Sequence, residues 1–386
     1  MIARAITEKL TSLSRQYPVV AVTGPRQSGK TTLVKATFPN LAYASLEDPD
    51  VREFARTDPR RFLASLKGGA VLDEVQRVPD LLSYIQTEVD QDDRPGRFVL
   101  TGSANLMLLE AVSQTLAGRV AMLTLLPLSL SELQGAAALS LEETLFRGFY
   151  PRVHAMGLNP TEWYANYVTT FVERDVRNIM AIGDLDRFQT FLRMCAARSG
   201  QLLNLSSLGA DAGVTHNTAR SWLSLLEACY ITRRLPPYFR NPSKRLVRTP
   251  KLYFLDPGLL CYLLGIHDPG TLMTHASRGP IFESFVFAEL LKAAFNRGRL
   301  PRIYFYRDHR GLEVDFLVED RSGLIPVEVK SGTTIASDFF KSLNEFYCLT
   351  QRRGMLVFGG DRDEDRFEAQ VIGWRGVMGL ADSISW

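Results

Sequence analysis

The segment Gly24-Pro25-Arg26-Gln27-Ser28-Gly29-Lys30-Thr31, followed by Thr32, has the spacing G-x-x-x-x-G-K-S/T. Two glycines let a backbone turn tightly enough for its N–H groups to surround a phosphate, and a helix opening at Lys30 adds positive potential at the same point. Lys30 would reach the outer phosphates of a nucleotide, and the Thr31 hydroxyl would ligate Mg2+. Hydrolysis needs two further groups, a carboxylate for the metal shell and a base for water. "AVLDEVQ", Ala70 to Gln76, ends an apolar run in residues that suit both tasks: Asp73 for the metal and Glu74 to polarise the attacking water. "RFVLTGSAN", Arg97 to Asn105, ends in Thr101, Ser103 and Asn105, polar side chains placed to sense a terminal phosphate, although Ser103 also suits a helix cap. Arg119 stands before another apolar run, where a guanidinium could complete a neighbouring subunit's site or simply face solvent.

A second group lies in the last third. "LEVDFLVEDRSGLIPVEVKSG", Leu312 to Gly332, reads as two strands joined by a polar turn containing Gly323. Because strand side chains alternate, Glu313, Asp315 and Leu317 share one face, as do Glu328 and Lys330 on the partner; Val314, Phe316, Val327 and Val329 point to a core. Asp315 and Glu328 would bind a divalent cation, and Lys330 would orient water or stabilise a phosphorane. Glu283, in "GPIFESFVFAELLKAAF", aligns on a helix with Phe287 and Leu291 and so points inward. An exposed Glu–Lys ion pair is the plain alternative for this cluster.

Between the two groups, "NLSSLGADAGVTHNTARSWLSLLEACYI", Asn204 to Ile231, has helix-turn-helix spacing with a sharp turn at Gly213. Thr215, His216, Asn217 and Arg220 would then stand at the start of a recognition helix. From Arg233 to Lys251 there are seven basic residues and no acidic one, with Tyr238 and Phe239 interleaved. Arg240, Lys244, Arg245, Arg248 and Lys251 can neutralise phosphates without reading sequence, which points to DNA. A helical hairpin used only for packing, or a basic loop facing solvent, RNA or acidic protein, would fit the same residues.

The elements that must position these groups follow from pattern. Apolar runs at Val19–Val22, Leu41–Ser45 and Val120–Leu125, and those within Ala70–Gln76 and Arg97–Asn105, alternate with helical stretches, which predicts an α/β domain with a parallel sheet and ligand at the strand carboxyl ends. Residues 1–138 form this ATPase core, 139–200 a helical lid, 201–268 a winged helix and 269–386 a second α/β domain. With 386 residues, 46% of them hydrophobic, each domain can bury its own core. The net charge of +3 is too small to announce a nucleic-acid partner by itself, so that reading rests on the local basic cluster. Four dispersed cysteines without CxxC spacing point away from disulfides and structural zinc, and no apolar run is long enough to span a bilayer. A cytoplasmic protein is expected.

In order, "GPRQSGKTTL", "LDE", "LTGSAN", "LAGR" and "LPLSLSEL" resemble the AAA+ branch of P-loop ATPases, in a prokaryotic family with an appended C-terminal domain of poorly defined function. The resemblance implies ATP and Mg2+ as cofactors, Arg119 as an arginine finger, and a homo-oligomer such as a hexameric ring. A glutamate on a helix, then Asp315, then Glu328-x-Lys330 resembles the PD-(D/E)xK nuclease superfamily, with its restriction-endonuclease-like fold. Val314 stands where the nominal proline would precede the aspartate. The expected function is ATP hydrolysis coupled to DNA binding and Mg2+-dependent DNA cleavage. The competing expectation is an ATP-controlled DNA- or protein-binding switch whose nuclease-like domain is inactive.

Overall fold

A computed structural model of the chain describes residues 2–103, 112, 114–133, 138–171, 176, 185–238, 249–366, 368–384 and 386. The chain divides into two compact units. One comprises Met1–Leu128 with Ala228–Tyr230 and Phe295–Arg299; the other comprises Ser129–Glu227, Ile231–Ala294 and Leu300–Trp386.

The first unit holds β1 (Val19–Thr23), β2 (Ala42–Ser45), β3 (Ala70–Asp73), β4 (Phe98–Thr101) and β5 (Val120–Thr124). They form one sheet in the order β2-β3-β4-β1-β5, and every pairing is parallel. Its helices are α1 (Thr7–Ser14), α2 (Lys30–Thr37), α3 (Pro49–Thr57), α4 (Pro59–Ser65) and α5 (Leu81–Gln91). Every residue of β1, β3 and β4 is buried, as expected of strands covered on both faces, which read as apolar runs rather than alternation. Val19 and Ala21 enter a core with Leu72, Leu82, Ile85 and Phe98; Val20 and Val22 enter the opposite one with Leu33, Val34 and Val99. Two Asp-Pro pairs start α3 and α4: Asp48 and Asp58 accept hydrogen bonds from first-turn N–H groups, and the prolines fill positions whose N–H would have no helical partner. Because β1 lies between β4 and β5, its carboxyl end opens at a topological switch point.

The second unit begins with helices α6 (Leu141–Arg147), α7 (Pro151–Ala155), α8 (Pro160–Phe171), α9 (Leu185–Ala197), α10 (Leu205–Asp211) and α11 (His216–Ala228). An antiparallel pair follows, β6 (Thr232–Leu235) with β7 (Lys251–Phe254), then α12 (Pro257–Leu263), α13 (Pro269–Thr274) and α14 (Arg278–Asn296). The remainder is a mixed sheet of β8 (Ile303–Arg307), β9 (Glu313–Asp320), β10 (Gly323–Lys330), β11 (Gly354–Phe358), β12 (Glu364–Asp365) and β13 (Ala369–Gly373), with α15 (Lys341–Thr350) and α16 (Val377–Ser383). Its order is β12-β13-β11-β10-β9-β8; β10, β11 and β13 run parallel, while β8, β9 and β10 are joined antiparallel.

Three local devices set the middle of this unit. Trp222 of α11 meets the rings of Phe188 and Phe191 of α9 edge-on at 5.2 and 5.4 Å, which seats α11 on α9. Gly209 lets α10 approach the next turn so closely that a Cβ there would lie 2.9 Å from the Val214 carbonyl. Buried Asp256 accepts from the Phe149 and Leu259 N–H groups (2.7 and 2.8 Å) and from the Tyr164 hydroxyl (2.6 Å), fastening the start of α12 to α8 and to the turn after α6. A carboxylate this well supplied with donors tolerates burial.

Candidate functional site

The loop after β1 is shaped by backbone constraints that its sequence meets. Gly24 has φ +147°, and a Cβ there would stand 2.1 Å from the Leu125 carbonyl, so only glycine lets the chain leave β1 this close to the residue following β5. Gln27 and Gly29 are left-handed, Gly29 as the N-cap of α2. Arg4 donates to the Ser28 carbonyl and to the Leu126 carbonyl, both at 2.7 Å, bracing the loop from the N-terminal segment. Lys30 is only 5% exposed, with Nζ donating to the Gly24 and Pro25 carbonyls at 3.1 and 2.7 Å. Its ammonium thus lies inside the curve of the loop.

At the adjacent strand end, Asp73 is 5% exposed and collects hydroxyls from three elements. Thr31 Oγ1 on α2 donates to it at 3.0 Å, Tyr43 on β2 at 2.7 Å, and Thr101 on β4 also donates. Burial, then the hydrogen bond to Asp73, push the Tyr43 phenol above its ordinary range. Glu74 adopts a left-handed conformation with φ 56°, which turns its side chain out of the strand direction. Its Oε2 accepts from Ser103 Oγ at 3.2 Å and from Gln76 Nε2, which also donates to Ser103 at 3.0 Å. Gln76 Oε1 is buried and has no hydrogen-bond partner among the described residues.

The structure therefore brings Lys30, Thr31, Asp73, Glu74 and Ser103 to one end of the sheet. Asn105 lies outside the described residues. Tyr43 and Gln76 were missed from sequence; the spacing Glu74-x-Gln76 was the available signal for the second. Thr31 and Asp73 suit Mg2+ by chemistry and placement, a hydroxyl and a carboxylate within hydrogen-bond distance beside a lysine-containing phosphate loop. Arg119 precedes β5 at the opposite end of this parallel sheet, where it forms an ion pair with Asp90. It cannot reach its own chain's loop from there.

Residues 16–134 match a family model described as an AAA domain; residues 138–270 and 278–375 match two domains of unknown function, DUF8612 and DUF4143. The uncharacterized proteins Rv2008c of Mycobacterium tuberculosis and Mb2031c of Mycobacterium bovis are each 32% identical to the chain over 336 residues, covering 86% of it and 74% of their own length. The chain belongs to their family. This AAA-domain protein carries its P-loop ATPase fold in the first unit. Among solved structures it is similar to the Walker-type ATPase PABY2304 of Pyrococcus abyssi, at 16% identity and TM-score 0.46 over 68% of the chain and 96% of that one. It is also similar to a STAND protein with a tetratricopeptide repeat sensor, PH0952 of Pyrococcus horikoshii, at 10% identity and TM-score 0.24 over 76% and 47%. No described helix is long and apolar enough to cross a membrane.

In the second unit of this AAA-domain protein, His216, Asn217 and Arg220 lie exposed at the start of α11. Thr215 serves as a cap, its Oγ1 accepting from the Thr218 N–H at 3.2 Å. Arg240, Lys244, Arg245 and Arg248 lie outside the described residues. Lys251 corrects the sequence expectation of a basic surface residue facing DNA. It is 4% exposed, and its Nζ lies 2.6 Å from Glu313, 3.5 Å from Glu283 and 3.9 Å from Asp315. As the first residue of β7 it points where Tyr253 does, since side chains two apart share a strand face, and Tyr253 donates to Glu283 as well.

Glu283, Asp315, Glu328 and Lys330 do share one neighbourhood. Asp315 Oδ2 accepts from the Val329 N–H at 2.9 Å, and Glu328 Oε1 accepts from Lys330 Nζ at 2.7 Å. Burial, then the Asp315 charge, push Glu283 up to about 7 and Glu328 up to about 8. Burial by itself would lower Lys251, but Glu283, Asp315 and Glu313 outweigh it and hold the ammonium well above its ordinary range. Asp315 and Glu328, expected to bind a divalent cation, each lie beside an ammonium: Lys251 Nζ is 3.9 Å from Asp315 and Lys330 Nζ 2.7 Å from Glu328. Leu317, expected on the charged face, is fully buried in one core with Val314, because the register of β9 against β8 slips between these two residues and breaks the alternation.

Proposed function

We propose that the protein is an ATP-hydrolysing switch whose first unit turns over ATP with Mg2+ and whose second unit binds DNA without cutting it. The observation that carries the ATPase half is the meeting of Thr31, Asp73, Glu74 and Ser103 around the ends of β3 and β4, beside the Lys30 loop. Gly24 to Thr32 would wrap the phosphates through backbone N–H groups, with Lys30 exchanging its carbonyl partners for phosphate oxygens. Thr31 and Asp73 would hold Mg2+, which when bound neutralises charge on the outer phosphates. Glu74, fixed by Ser103 and Gln76, would take the proton of the attacking water, and Ser103 would register the loss of the terminal phosphate. Arg119, at the opposite end of the sheet from its own loop, would act on a neighbouring subunit's nucleotide in a homo-oligomer such as a ring.

The DNA half is supported by the exposed His216, Asn217 and Arg220 at the start of α11, by the β6–β7 pair that follows it, and by the basic sequence between those strands, Arg240, Lys244, Arg245 and Arg248 included. Binding rather than cutting is favoured by the two ammonium groups already beside the carboxylates that cleavage would need for metal, Lys251 near Asp315 and Lys330 on Glu328. ATP turnover by the full chain with and without duplex DNA tests the reading. A rate that responds to DNA, and to Arg220→Ala only when DNA is present, is expected; turnover indifferent to DNA at low salt would refute the coupling, and Mg2+-dependent strand scission lost in Asp315→Ala would refute the non-cutting half.

A further inference from the structure

We propose that Lys251 is the resident cation of the carboxylate cluster in the second unit, so that this acidic site is held together by the chain's own ammonium and is closed to divalent metal. The geometry is that of a filled site. Glu313 Oε1 meets Lys251 at 2.6 Å while its Oε2 meets Arg307 at 3.3 Å. Glu283 Oε1 faces Lys251 and the Tyr253 hydroxyl, and Asp315 divides its oxygens between Lys251 and the Val329 N–H. Glu328 gives one oxygen to Lys330. Its other oxygen is buried on a 4%-exposed residue and has no partner among the described residues.

The backbone fixes the ammonium where it is. Lys251 pairs across to Leu235 in the β6–β7 ladder and bridges to Leu202 on its other side, so its Cα is held from both flanks. Burying an ammonium is costly without opposite charge, and three carboxylates within 4 Å provide it. A divalent cation entering the same space would have to expel that ammonium or sit against it, a like-charge contact at short range in a poorly screened place. Removing the lysine's charge while keeping its stem leaves Glu283, Glu313 and Asp315 without their shared partner, which is the situation in which oxygen ligands take up a hard cation.

Manganese uptake by the nucleotide-free full chain, followed by the electron paramagnetic resonance of the free ion, tests this in an Asp73→Asn background that removes the metal carboxylate of the first unit. With Lys251 present, no saturable uptake is expected at millimolar Mn2+. Lys251→Met should create one site per chain, at least about tenfold tighter than anything in the parent, and Asp315→Asn added to it should abolish that site. A folded Lys251→Met chain that takes up no Mn2+ overturns the proposal. So does a saturable site in the Lys251-bearing chain that Asp315→Asn removes, a comparison that stands even where Lys251→Met fails to fold.

Discussion

Replacing Glu328 by glutamine should change how stability depends on pH. Glu328 is almost wholly buried, Lys330 holds one of its oxygens at 2.7 Å, and burial followed by the Asp315 charge raises its pKa from 4.5 to about 8. A carboxyl raised in the folded state has a fixed sign of linkage. Below pH 4.5 both states carry the proton and the group costs nothing; between 4.5 and about 8 the unfolded chain has released its proton while the folded chain keeps it, so stability falls as pH rises. The slope approaches about 1.4 kcal/mol per pH unit, which amounts to roughly 3 kcal/mol lost by pH 7. Glu283, pushed up to about 7, adds a slope of the same sign in both proteins. Lys251 and Lys330 are raised from 10.5, so their stabilisation is complete below that value and does not vary across this window. Urea unfolding of wild type and Glu328→Gln at a series of pH values should give curves that coincide near pH 5 and separate toward pH 8, with the glutamine variant the more stable. Parallel curves would show that this carboxyl is not held in its protonated form.

Further outcomes follow from the first unit. Glu74→Gln should lower ATP turnover by about 10²- to 10⁴-fold while leaving nucleotide affinity near wild type, as separate rate and binding measurements would record. Gly24→Ala should abolish nucleotide binding and destabilise the unit, because the new Cβ would fall 2.1 Å from the Leu125 carbonyl; Gly118→Ala, with nothing within 4 Å, should cost only about 1 kcal/mol for its left-handed backbone. Tyr43→Phe removes one of the hydroxyls on Asp73 and should shift the Mg2+ dependence of turnover by a factor of a few, about 1 kcal/mol, without changing the maximal rate. Arg119→Ala and Lys30→Ala should each be inactive alone yet recover turnover when mixed, since the first keeps an intact loop and the second an intact finger; unchanged inactivity of the mixture would place Arg119 outside the reaction.

What could be read from the sequence was local. Gly24 to Thr32, Asp73, Glu74 and Ser103 are recognisable because each motif sits on a continuous strand–loop piece, and each of the five apolar runs contains one of β1 to β5, or all but its last residue. Tyr43 escaped notice because its tie to Asp73 depends on β2 lying beside β3, a pairing that no short-range spacing reveals. Lys251 misled for the opposite reason: it ends a run of basic residues and so looks like surface, whereas it also begins the apolar strand "KLYF" with Tyr253 on the same side. A charged residue at the head of a wholly buried strand was the clue, and only α14 and β9, distant in sequence, explain how its charge is borne. Asp315, Glu328 and Lys330 were legible as a charged group, but the register slip in β9 that turns Leu317 away from them was not, nor was whether a metal or a lysine would face the carboxylates.

The decisive measurement is calorimetric titration of the full chain with Mg2+ and a non-hydrolysable ATP analogue, repeated on Lys30→Ala. One saturable site per chain in the wild type, lost or greatly weakened in the variant, is the expected result. A well-folded wild-type chain that binds no nucleotide at millimolar ligand, or a Lys30→Ala chain that binds it equally well, would contradict the account.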